Sequence, residues 1–147
     1  MILDLRKIKR SGKEQSEFFF NYSPQEQLIE LPDANLVLPV NVSGTLTLTG
    51  EHSAFVEGEV NYFIEGNCTR CLDATKKEYL LQFNEQLEED NQEGYSVKND
   101  LIDLTKIVDD LIMMNSPITF LCDENCKGIC LGCGENLNNG QCKCKNE

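Results

Sequence analysis

The sequence predicts an α+β protein that is mostly β: an antiparallel sheet or partly closed barrel, one amphipathic helix, and a C-terminal zinc-binding tail. Three observations carry this. Between residues 36 and 87, long stretches alternate apolar and polar side chains with period two. One stretch near residues 103–115 repeats with helical period instead. Eight cysteines fall in four close pairs, three of them after residue 121. The expected organisation is a β-rich body over residues 1–118, with residues 119–147 as a cysteine-rich tail docked on it.

The strands come first. Leu36, Leu38, Val40, Val42, Gly44, Leu46 and Leu48 occupy alternate positions, with Asn41, Ser43, Thr45 and Thr47 between them. That pattern fits a strand with one buried face, and Gly44 suggests a bulge or bend. Gly50-Glu51-His52-Ser53 reads as a turn. A second strand follows, with Ala54, Val56, Val60, Tyr62 and Ile64 on one face and Glu57, Glu59, Asn61 and Glu65 on the other. The two are expected to pair as a long hairpin. Tyr79, Leu81, Phe83 and Leu87 mark a third strand. Shorter candidates lie at 2–5, 17–22 and 28–31.

The helix rests on Leu104, Ile107, Val108, Leu111 and Ile112, spaced as one apolar stripe. Asp103 suits its N-cap and Pro117 its end. The stripe is assigned to core packing, and Asp109 and Asp110 to the solvated face.

Composition narrows the class. A chain of 147 residues buries roughly 70% of its unfolded surface, so disulfide staples are not needed. Charges interrupt the apolar residues of the first ten positions, so no signal-peptide core is expected. No apolar run is long enough for a membrane span. The expectation is a cytoplasmic protein with reduced thiols, whose cysteines serve metal or redox chemistry.

Net charge is −12, unevenly spread. In residues 1–13 five basic side chains face Asp4 alone, giving +4; the rest of the chain is at −16. Arg6, Lys7, Lys9 and Arg10 are therefore the candidate RNA contacts. The competing and preferred reading is a solvated strand end and turn. The acidic body repels a phosphate backbone and favours a basic protein partner.

The cysteines carry the chemistry. Cys68-Thr-Arg-Cys71 and Cys130-Leu-Gly-Cys133 are CxxC turns, Cys122 to Cys126 is a CxxxC, and Cys142-Lys-Cys144 is a CxC. Zinc takes four thiolates at tetrahedral vertices, and a close pair on a turn supplies two. Gly134 allows the left-handed residue such a turn needs. If close pairs stay together, three groupings remain. The favoured one joins Cys130, Cys133, Cys142 and Cys144, because that loop is short and cheap to close. It leaves Cys68, Cys71, Cys122 and Cys126 as the second of two zinc sites. Arg70, Lys127, Lys143 and Lys145 lie among the ligands and are read as offsetting thiolate charge rather than touching RNA.

Catalysis finds little support. His52 is the only histidine, placed in a turn with a solvated or capping role. No phosphate-binding glycine motif occurs, and no small-molecule substrate is expected. A thiol redox switch at Cys68 and Cys71 is the alternative, although the strand-then-helix context of thioredoxin-like CxxC motifs is missing.

The block Glu65-Gly-Asn-Cys68-Thr-Arg-Cys71-Leu72, the Ile102-Asp-Leu104 opening of the helix and the tail from Leu121 to Leu137 resemble the YceD family. Leu131-Gly132 replaces the proline usual in the third pair. The resemblance implies a role in ribosome biogenesis: supporting accumulation of large-subunit (23S) ribosomal RNA. The expected partner is large-subunit RNA or, from the acidic charge of the body, a basic ribosomal protein. Adaptor binding to such a protein is the second alternative.

Overall fold

The computed structural model describes residues 1–92 and 94–144. It is mostly β with two helices. In chain order the elements are β1 (Ile2–Asp4), α1 (Leu5–Ser11), β2 (Gln15–Tyr22), β3 (Ala34–Leu48), β4 (Ala54–Asn67), β5 (Ala74–Glu89), β6 (Ser96–Val97), β7 (Leu101–Asp103) and α2 (Leu104–Met114). Strands β2 to β6 form one open sheet in sequence order, antiparallel except for the parallel β5–β6 pair. β1 and β7 form a separate antiparallel pair. The sheet is open, so the barrel alternative is set aside.

The long hairpin follows from its alternation. Val40, Val42 and Leu46 of β3 are buried, as are Ala54, Val56, Val60, Tyr62 and Ile64 of β4. Each such Val, Leu or Ile contributes roughly 1.5–3 kcal/mol by leaving water. Tyr62 stacks on Tyr79 of β5, ring centroids 5.2 Å apart. Glu57, Glu59 and Glu65 point to solvent.

Two details of β3 depart from expectation. Leu38 is 51% exposed, because the register with β4 slips between Val37 and Asn41 and turns Leu38-Pro39 outward. Pro39 has no N–H for the ladder, so the irregularity falls where a strand can accept it. Gly44, expected at a bulge, sits in unbroken register opposite Phe18 and Gly58. A Cβ there would collide with the Glu57 carbonyl oxygen and lie 2.7 Å from the Phe18 ring. The Phe83 ring lies likewise against Gly58. The two glycines make room for two rings crossing the inner face.

The ends differ more. The expected strand over 2–5 stops at Asp4, which becomes the N-cap of α1 by accepting from the Arg6 N–H. The basic segment is therefore a helix, not a strand end. Leu5 and Ile8 bury one side of it, and Gly12 closes it in a left-handed conformation. Residues 28–31 form no strand. Leu28, Ile29 and Leu31 are nonetheless buried, and Leu31 makes one bridge to Ala34.

In α2, Leu104, Ile107, Val108 and Ile112 are buried, and the Asp103 side chain accepts from the Thr105 N–H. Asp109 and Asp110 are not on a solvated face. Tyr22 donates to Asp109 at 2.9 Å and Tyr95 to Asp110 at 2.8 Å. Burial, ahead of these contacts, pushes both phenols up to about 12. The tyrosines tie α2 to β2 and to the connector before β6. After α2 the chain returns to the core, where Phe120 is fully buried. No helix is long and apolar enough to cross a membrane, among the described residues.

Candidate metal centres

Residues 68–73 turn between β4 and β5 and carry the first CxxC. The Leu72 N–H donates to the Cys68 carbonyl at 2.9 Å, and the Cys68 N–H to the Asp73 carbonyl at 2.9 Å. These bonds close a tight knuckle and force Leu72 to φ 64. The Thr69 N–H donates to the carbonyl of buried Phe120, which brings residues 121–126 over the knuckle. There the Cys126 N–H donates to the Asp123 carbonyl, and the Asp123 side chain accepts from the Asn125 N–H.

Four sulfurs meet as a result. Cys68 lies 3.7 Å from Cys126, and Cys71 lies 3.6 Å from Cys122, sulfur to sulfur. A zinc tetrahedron with bonds near 2.3 Å has edges of about 3.8 Å. Cys68, Cys71 and Cys126 are buried, with Leu121 and Ile129 packed beside them. Arg70 donates to the Cys126 carbonyl at 3.1 Å, so it braces backbone. The Asn138 amide donates to the Cys126 sulfur at 3.3 Å.

The second cluster joins Cys130, Cys133, Cys142 and Cys144. Its sulfur separations are 3.8 Å for Cys130 to Cys144, 3.5 Å for Cys133 to Cys142 and 3.1 Å for Cys142 to Cys130. Backbone N–H groups of Gly132 and Cys144 point at the Cys130 and Cys142 sulfurs. Gly134, at φ 74, holds the left-handed position. Cys133 and Cys144 are exposed, and Leu131 is 100% exposed. In each cluster all four sulfurs lie within 4.8 Å of one another.

The thiol chemistry is uneven within each cluster. Burial raises the Cys68 thiol, but backbone N–H groups of Cys71, Cys122 and Arg70 outweigh it and bring it to about 6. Neighbouring Cys126 and Cys71 push Cys122 up to about 12. The Cys142 thiol, then backbone N–H groups, lower Cys130 to about 6, while Cys142, Cys133 and Cys130 push Cys144 far up. Four sulfurs this close repel one another as thiolates unless a cation sits among them. Both clusters are thus capable of binding a metal ion.

The other sequence candidates lie elsewhere. Arg6 pairs with Asp4 at 3.0 Å and Lys9 with Asp100 at 3.1 Å. Lys7 and Arg10 are exposed and form no ion pair among the described residues. Sequence reasoning missed the role of His52, whose Nδ1 lies 3.0 Å from the same Asp100 carboxylate. That hydrogen bond raises its pKa. No local signal pointed to this, because 48 residues separate the partners. Lys127 and Lys143 flank the clusters, with the Lys127 N–H donating to the Asn138 side chain. Lys145 lies outside the described residues.

A family model described as large ribosomal RNA subunit accumulation protein YceD matches residues 56–147. Two curated relatives are both described as large ribosomal RNA subunit accumulation protein YCED homolog 1, chloroplastic. The Arabidopsis thaliana protein is 48% identical over 46 residues, which is 31% of this chain and 14% of that protein. The Zea mays protein is 44% identical over 45 residues, 30% of this chain and 15% of that one. The chain thus spans about a seventh of the relatives it matches. No solved structure matches it.

Proposed function

This chain belongs to the YceD family, and from that premise we propose that it supports accumulation of large-subunit (23S) ribosomal RNA by binding, without catalysis. In this reading each four-cysteine cluster holds one structural zinc ion. Residues 1–118 form the body and residues 119–147 a tail held to it by metal. The observation that carries it is the geometry of the sulfurs. Four of the five separations above, 3.5–3.8 Å, fit the edges of a zinc tetrahedron. Four protein ligands per ion leave no position for a substrate, so the clusters would organise the fold rather than react.

The binding surface in this reading is mostly acidic, which favours a basic protein of the large subunit over direct contact with RNA. RNA contact through α1 would fall to Lys7 and Arg10, since Arg6 and Lys9 already have acidic partners. Eight free cysteines suit a reducing compartment such as the cytoplasm.

The test has two arms. Metal analysis of native protein should find two zinc ions per chain; intact disulfides or no metal would refute the zinc assignment. Depleting the protein should lower large-subunit RNA relative to small-subunit RNA. Cleavage or modification of RNA by the purified chain would make it an enzyme and end the binding reading.

A further inference from the structure

The large sheet leaves two long edges open. β2 pairs with β3 through all eight residues in unbroken register. Among the described residues, no backbone–backbone hydrogen bond reaches Phe18–Tyr22 from the other side. Folded proteins blunt such edges with lysine, proline, bulges or short strands, because free N–H and C=O groups recruit further strands. β2 has none of these. Its sequence, Gln-Ser-Glu-Phe-Phe-Phe-Asn-Tyr, contains no basic residue and no proline, and Phe19 is 65% exposed on the outer face. The opposite edge differs. β6 covers β5 only at Glu88–Glu89, and the open part of β5 carries adjacent Lys76 and Lys77.

We propose that β2 is the docking edge for an extended, lysine- or arginine-rich segment of a partner protein, added as a further strand of the sheet. The proposal rests on the reading that this chain acts by binding, and names the form its partner takes. Charge selects the occupant. On the outer face Glu17 lies in one cross-strand row with Thr45 and Glu57, and Phe19 in the next with Ser43 and Glu59. All three glutamates are exposed, and none has an ion-pair partner among the described residues. An added strand projects every second side chain onto this face. A Lys or Arg opposite Glu17 meets an opposite charge, and its aliphatic stem can cover Phe19. A second copy would bring another Glu17 and another −12 charges to the same edge. RNA offers no amide ladder, and its phosphates face the same glutamates. On the open part of β5, Lys76 and Lys77 offset Glu78 and Glu85, so that edge offers a basic segment no net negative charge.

The probe is a dodecapeptide of alternating lysine and valine, titrated into the full metal-loaded chain by calorimetry and by amide NMR. One peptide should bind per chain, more weakly as salt rises, with the largest shifts at the amides of Ser16 to Tyr22. Both changed positions in a Glu17→Lys, Phe19→Lys variant are exposed, so its spectrum should stay folded while affinity falls about tenfold. Glu65→Lys, on the same face at the far end of β4, should change affinity by less than about twofold. No binding, shifts along β5, or shifts spread over the outer face without the β2 amides would overturn the proposal. So would a dimer in sedimentation that the Glu17→Lys, Phe19→Lys variant abolishes, or an RNA duplex competing for the β2 amides. In depleted cells the same variant should fail to restore large-subunit RNA. Full restoration would sink the docking edge and leave the function standing; unchanged RNA on depletion would sink the function itself.

Discussion

In both four-cysteine clusters the carbonyl of the leading cysteine accepts from the N–H four residues on: Leu72 to Cys68 at 2.9 Å and Gly134 to Cys130 at 2.8 Å. The next bond repeats as well, Cys68 N–H to Asp73 and Cys130 N–H to Glu135, both 2.9 Å. The surroundings then diverge. The first knuckle is a sheet turn with three buried sulfurs, and it takes its other two ligands from a segment 51 or more residues away. The second closes on itself within 15 residues and leaves two sulfurs exposed. One local turn thus serves two purposes: a clasp between distant parts of the fold, and a short loop whose Asn136 and Asn138 side chains reach Asp73 and Cys126 of the clasp. A metal in the clasp would offset a loop-closure entropy larger than that of the short loop by about 1–1.5 kcal/mol.

Removing each site in turn separates the two roles by the largest effect. Cys122→Ser with Cys126→Ser should cost one metal ion and several kcal/mol, lowering the melting midpoint by roughly 10–20 °C. Cys133→Ser with Cys144→Ser should cost one metal ion with a shift of only about 5 °C or less. Metal content and calorimetry on both variants decide it; equal shifts would mean the second loop is as integral as the first. Chelator exposure is the next test. The metal of the exposed cluster should leave first, the buried one later, read as two phases of release.

Smaller effects come from the left-handed residue of each turn. Leu72 is 60% exposed and left-handed, a conformation costing an L residue about 1–2 kcal/mol. Leu72→Gly should therefore stabilise the fold by about 1 kcal/mol in chemical denaturation. Gly134→Ala should weaken metal retention in the second cluster and spare the first.

The smallest effect lies away from both clusters, at His52, Asp100 and Lys9. The hydrogen bond to His52, then that to Lys9, lowers the Asp100 pKa below 3.8. The same bond raises His52 above 6.5. The His52 contribution is present in full below pH 6.5 and fades as pH rises through its raised pKa. The Asp100 contribution is present above pH 3.8 and fades as pH falls through its lowered value. NMR titration should show the His52 pKa falling in Asp100→Asn, with Glu51 and Glu89 still acting on it.

What could be read from the sequence was whatever repeats locally. Period-two alternation located β3, β4 and β5, the 3.6-residue stripe with Asp103 located α2, and close cysteine pairs with a loop-closure argument produced the two groupings that the structure brings together. Tertiary context decided the rest. Asp4 caps a helix because the paired β1 and β7 place Leu5 and Ile8 against the core, where propensity alone left a strand end. Asp109 and Asp110 face tyrosines that arrive from β2 and the connector. Leu28, Ile29 and Leu31 are apolar enough for a strand, yet form none. Gly44 reads as a bulge in one dimension and as space for the Phe18 ring in three. Each of these depends on a partner distant in sequence, and a local pattern holds no record of which distant side chain will fill the space beside it.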